Sequence, residues 1–165
     1  MKLDFDSLNF LSGVSAAVFI ISVFTHLLSF FGVKIFSPVV LIMFFIIIIL
    51  GFPAQYAIAR LLNKSFWEPA WNWFKAMKGC PRWMSKLNLG LLIYTITVFL
   101  GTVFLEFKTG KYFNTSWQIL LSCFCLFLSF AFLSVFYSAS KVYYTRELFI
   151  EKAVARIRSS DKPEG

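Results

Sequence analysis

Three observations predict an all-α, polytopic membrane fold. Four stretches, 7–33, 35–59, 87–105 and 112–140, contain no Asp, Glu, Lys or Arg. Each is long enough to cross a ~30 Å hydrocarbon core as a helix, which takes about 20 apolar residues. The chain of 165 residues is 59% hydrophobic and only 15% charged, whereas an average soluble protein carries roughly 25% charged residues. Finally, the sixteen basic residues are sorted between alternate loops. These features give one membrane domain, 1–165, with transmembrane helices at about 8–31, 36–60, 87–106 and 115–140. The connecting pieces are too short to hold a second core, since isolated folds below ~40 residues are rarely stable.

The sorting of charge sets the orientation, because basic residues beside membrane helices stay in the cytoplasm. With both termini inside, the inner side carries thirteen Lys and Arg and the outer side three, Lys34, Lys108 and Lys111. The net charge of +8 is therefore read as topology and attraction to anionic lipids of the cytoplasmic leaflet, not as direct nucleic-acid binding. The expected location is a bacterial inner membrane. The start, Met1-Lys2-Leu3-Asp4-Phe5-Asp6, lacks the basic n-region and short apolar core of a cleavable signal peptide, so the first run is expected to be retained.

The first helix contains Gly13-x-x-x-Ala17, a small-residue face that suits close approach of another helix. It also holds His26, the single histidine, expected as a neutral packing residue toward the outer end. The second opens at Ser37-Pro38, a good N-cap and first-turn pair. Its run 39–50 is branched or aromatic and should face lipid, and Pro53 should kink it near the inner leaflet.

The loop that follows is the most distinctive part. Ser65-Phe66-Trp67-Glu68 reads as a capping box. Trp67, Ala70, Trp71, Phe74 and Met77 then recur at helical spacing, with Lys75 and Lys78 opposite and Trp73 flanking. An amphipathic helix over 66–78, lying in the membrane interface, is the expectation. Gly79 and Pro81 should end it, with Arg82 just beyond.

The third helix is the shortest run, and Gly90 and Gly101 should favour close packing. The fourth starts at a second capping-box pattern, Thr115-Ser-Trp-Gln118. Its stripe Ser122, Cys125, Ser129, Phe136 and Ser140 should serve helix packing. Helical rhythm continues through 141–158, which predicts a charged extension into the cytoplasm bearing Arg146, Arg156 and Arg158.

Chemistry is sparse. No carboxylate, Lys or Arg lies within a run, which disfavours ion-coupled transport. One histidine and three scattered thiols cannot build a zinc shell, and no nucleophile–base–acid set or phosphate-cradling glycine loop occurs. No catalytic residue, metal or cofactor is expected.

The function expected is that of a non-enzymatic interaction or sensor subunit, homo-oligomeric, which docks a cytoplasmic protein partner. Docking would use Trp67, Trp71, Trp73, Phe74, Met77, Lys75, Lys78 and Arg82 of the loop, with Arg146, Arg156 and Arg158 of the tail. Gly13, Ala17, Ser122 and Ser129 are the expected packing positions. The alternative is a small oligomeric pore gated by an apolar constriction. No family motif is matched residue by residue. In its layout of four helices, minimal outer loops and a basic inner face, the chain resembles four-helix immunity proteins against pore-forming colicins and the membrane subunits of some anti-phage systems. That resemblance implies a place in bacterial defence or toxin immunity.

Overall fold

The computed structural model describes residues 4–31, 37–62, 73–109 and 114–160. All the regular structure there is helical: α1 (Phe5–Phe30), α2 (Ser37–Leu62), the short α3 (Trp73–Ala76) continued by a 3-10 turn (Met77–Gly79), α4 (Arg82–Thr109) and α5 (Asn114–Ser160). Four of these helices are long and apolar enough to span a membrane, over Phe5–Ser29, Pro38–Leu62, Arg82–Phe104 and Gln118–Arg146. That is the make-up of an integral membrane protein.

Local chemistry sets several of the ends. Asp4 caps α1, its Oδ1 accepting from the Ser7 amide at 2.9 Å. This hydrogen bond to the ionised form holds the Asp4 carboxyl below its ordinary value. Phe31 closes the same helix, its amide donating to the Leu27 carbonyl at 3.1 Å. Helix α2 continues through Pro53, as membrane helices can when neighbours satisfy the freed carbonyl. The capping box at 65–68 lies outside the described residues, as do the side chains of Thr115 and Trp117.

The architecture is a central post with three helices leaning on it. Helices α1, α2 and α4 each pack on α5, and α1 touches α2 only lightly. Ring pairs place α1 antiparallel along the post: Phe5 meets Tyr144 at 5.7 Å, Phe19 meets Phe130 at 4.9 Å, and His26 reaches Ser122. Gly51 packs on Phe132 and the segment around Ala57 on Ala139, so α2 runs parallel to α5. Asn88 meets Ser134 and Thr95 meets Cys123, so α4 is antiparallel again. Chain direction therefore alternates, and the start of α1, the end of α2 and the residues around Arg146 share one end of the bundle.

Burial follows from this plan. In the most apolar window of each helix, 67% of α5 is buried, against 28% of α1, 33% of α2 and 11% of α4. Ala131, Val135 and Phe136 are fully buried, and Ile47, Leu50, Ala54 and Ala57 of α2 close over them. The faces left over, such as Ile42, Phe45 and Ile49 on α2 or Ile96, Leu100 and Phe104 on α4, suit lipid. The small-residue positions fall on these outward faces too. Gly13 and Ala17 are exposed, and a methyl group built on Gly13, Gly90 or Gly101 would meet nothing within 4 Å. Close packing at these four positions is thus not made within the described chain. Small residues are fully buried elsewhere, at Ser15 and Ser22 on α1, Ala54 on α2 and Ser122, Ser129 and Ser134 on α5.

Truncating the post should be costly. Phe136→Ala is expected to lower stability by about 3–5 kcal/mol, since it opens a cavity at the common contact of the helices. Phe124→Ala, whose ring is 38% exposed, should cost far less. Thermal unfolding of both variants in the same detergent checks this, with equal losses as the contrary result.

Candidate functional site

Polar groups in an apolar bundle are expensive, so each buried one needs a partner or a purpose. Among the described residues Ser22 and Ser29 return their protons to α1 itself and Ser15 Oγ is buried without a partner, whereas the polar contacts between elements gather in two clusters on α5. The first centres on His26 and lies toward the α1–α2 end. His26 Nδ1 is 2.9 Å from Ser122 Oγ, and Nε2 is 2.7 Å from the Tyr94 hydroxyl. Ser122 donates its one proton to the Ile119 carbonyl at 2.8 Å, so its oxygen accepts from Nδ1–H. The other ring nitrogen then accepts from Tyr94. Cys123 Sγ sits 3.6 Å from Nδ1. Both ring nitrogens are thus satisfied, tying α1, α4 and α5 together. No group of three His, Cys, Asp or Glu side chains among the described residues could hold a metal.

The second cluster pins the loop to the post. Ser138 Oγ donates to the Ala76 carbonyl at 2.8 Å and accepts from the Gly79 amide at 3.2 Å. One residue on, the Cys80 thiol donates to the Ser134 carbonyl at 2.9 Å. Below it Asn88 Nδ2 donates to Ser134 Oγ at 2.7 Å and to the Met84 carbonyl at 3.3 Å. Asn88 Oδ1 is buried and has no partner in the structure. Together these bonds form a latch, in which Ser138 satisfies backbone groups of Ala76 and Gly79 while Ser134, one turn earlier on α5, accepts from the Cys80 thiol and the Asn88 amide. Gly79 is needed for it, because an added Cβ would lie 2.5 Å from Ser138 Oγ and 3.4 Å from the Ser138 Cα. Burial pushes the Cys80 thiol up to about 11, outweighing a hydrogen bond to the Ser138 backbone and the nearby Lys141 charge.

The expected interface residues are placed as follows. Trp67 and Trp71 lie outside the described residues, as do the side chains of Trp73, Phe74, Lys78, Arg156 and Arg158. Lys75, Arg82 and Arg146 are exposed. Met77 corrects the sequence reading: it is 3% exposed and packs in the core with Ala76, so it cannot face lipid or a partner here. The reason is the latch, which draws this turn onto α5 and toward Asn88. Ser122 and Ser129 are both fully buried on α5. Sequence reasoning passed over Tyr94, Asn88, Ser134 and Ser138. The signals were present: one Asn in an apolar run, and serines four residues apart on the most apolar helix. Comparison with protein-family models, curated proteins and solved structures finds no match.

Two tests probe the latch. Gly79→Ala should lower stability by about 1–3 kcal/mol through overpacking. Adding Ser138→Ala should cost less than the two single losses summed, since the clash disappears with the hydroxyl; strict additivity in thermal unfolding would contradict the contact. Cys80 should react with maleimide at pH 8 about 100-fold more slowly than a thiol of ordinary pKa, because only the thiolate attacks. The sign follows from the upward shift: the protonated thiol favours folding below pH 9, and that contribution fades as pH rises through about 11. Alkylation at the rate of the detergent-denatured chain would show the thiol to be unburied.

Proposed function

We propose that this protein is a non-enzymatic interaction or sensor subunit, seated as an oligomer in a bacterial inner membrane with both ends in the cytoplasm. In this reading its basic loop and the far part of α5 together dock a cytoplasmic protein. The observation that carries it is the latch. The two elements richest in positive charge, 60–86 and 141–162, are joined through Ser138 hydrogen bonds to Ala76 and Gly79. Helix α5 then runs on to Ser160, a 47-residue helix. At 1.5 Å per residue it is about 70 Å long, far more than a ~30 Å hydrocarbon core requires. Displacement of α5 by events in the bilayer would therefore move both basic elements at once, which is what a relay needs.

The charge distribution supports placing that end inside. Among the described residues the centre of one copy is filled by Ala131, Val135 and Phe136, which favours a packed bundle over a pore within a single chain. Helix α4, 11% buried, offers the largest apolar face to a neighbouring copy. A role in bacterial defence or toxin immunity is part of the same proposal, on the ground of layout alone.

A photo-crosslinkable residue at Lys75 and another at Phe149, both exposed, are expected to capture the same soluble protein in intact membranes. One at Phe104, on the opposite end, should not. Capture of unrelated proteins at the first two positions would count against shared docking. Single-channel conductance from the purified protein in liposomes would replace this reading with a pore.

A further inference from the structure

Where α1 begins and the apolar stretches of α2 and α5 end, a cleft of about 160 Å³ opens between the three helices. Its rim is cationic and phenolic, formed by Tyr56, Arg60, Tyr143 and Arg146. Its wall is apolar, with Leu8, Ala57, Ala139 and Val142. None of the described residues lining it is acidic. We propose that this cleft binds the phosphate headgroup of an anionic phospholipid, with the first methylenes of an acyl chain against the apolar wall. The proposal is independent of partner docking; it needs only the cleft and a bilayer.

Depth is the first argument. Arg60 lies two residues before the end of the span Pro38–Leu62, and Arg146 is the last residue of Gln118–Arg146. Both residues therefore stand where the apolar stretches of their helices end, which in a bilayer is where headgroups would begin, and Ala57 and Ala139 of the wall belong to those apolar stretches. The chemistry of the donors is the second argument. Arg60 is held in place by Tyr56, its Nε and Nη2 donating to the hydroxyl at 3.3 and 3.1 Å and its Cζ lying 5.6 Å from the ring centroid. A guanidinium has five N–H donors, so three remain for an anion. Planar forks of this kind bind phosphate oxygens in pairs. Arg146 also lines a second, more open groove of about 580 Å³, to which Lys141 belongs, so the cleft itself carries two cations, Arg60 and Arg146.

Size is the third argument. Pockets that enclose drug-sized ligands measure about 300–1,000 Å³, so 160 Å³ is too small to bury a soluble cofactor whole. A phospholipid needs only its headgroup and upper chain accommodated, because the bilayer receives the rest. Basic pockets between transmembrane helices are an established way of holding anionic lipid headgroups.

The test uses the purified full-length protein in a neutral detergent and counts bound lipid by native mass spectrometry. Short-chain phosphatidylglycerol should be retained over short-chain phosphatidylcholine. R60Q/R146Q should weaken phosphatidylglycerol binding by about tenfold or more, as expected for two lost charge-assisted contacts, and leave phosphatidylcholine unchanged. K86Q/K108Q removes the same charge from exposed positions on α4 and should leave the preference intact. Three results would overturn the proposal: undiminished phosphatidylglycerol binding by R60Q/R146Q, an equal loss in K86Q/K108Q, or displacement of the lipid by inorganic phosphate at comparable concentration. If the double variant does not fold, Arg146→Gln alone carries the test, with a several-fold loss expected and no loss as the refuting outcome.

Discussion

Helices surrounded by lipid gain no hydrophobic free energy by meeting one another, so shape and polar contacts must hold them. In this chain that task falls on one surface, the flank of α5. Three helices pack on it and only weakly on each other. The residues of α5 at these contacts are small or flat: Ser122, Ser129, Ala131 and Ser134 let neighbouring backbones approach, and Phe130, Phe132 and Phe136 fill what remains. Several of its hydroxyls return their proton to their own helix, as Ser129 does to Leu126 and Ser134 to Phe130. Such groups can be buried alone, and their oxygens stay available as acceptors. That is how Asn88 and His26 find partners without any charge entering the bundle.

The two polar clusters divide the post between them. Near one end, His26 joins three helices through a ring whose nitrogens are both occupied. Toward the other, Ser134 and Ser138 hold the turn at 76–80. Between them lies a largely apolar stretch of packed side chains around Phe130 and Ala131. In each cluster the donors are matched to acceptors that fix an element in place. The unpaired Asn88 Oδ1 is the exception, a buried acceptor beside the latch.

Much of the fold was legible because charge is so costly in hydrocarbon that its absence marks each span directly. The apolar ends at Lys34, Arg60 and Lys86 follow from that rule alone. The burial of the serine stripe on the last helix could also be read, since Ser122 and Ser129 recur on one face. Which faces meet could not. Gly13 and Ala17 have the right spacing for a close crossing, but spacing cannot say whether a partner arrives, and here their face points outward. Met77 fits an aromatic stripe by periodicity, yet a periodic pattern assumes a free helix. The hydrogen bonds from Ser138, sixty residues away in sequence space, decide that turn instead. Tyr94 was hidden for the same reason, as its hydroxyl gains meaning only once His26 is brought beside it.

The fourth span is the one on which the three before it depend. A growing chain delivers α1, α2 and α4 into the bilayer before α5 exists, and each of them is buried for a third of its apolar window or less even in the finished bundle. Until translation passes residue 140 the three lack the surface on which most of their packing is made. Assembly is then a single late event, triggered by arrival of the keystone. A ribosome that stops short would leave a fully inserted but unassembled product for the membrane proteases.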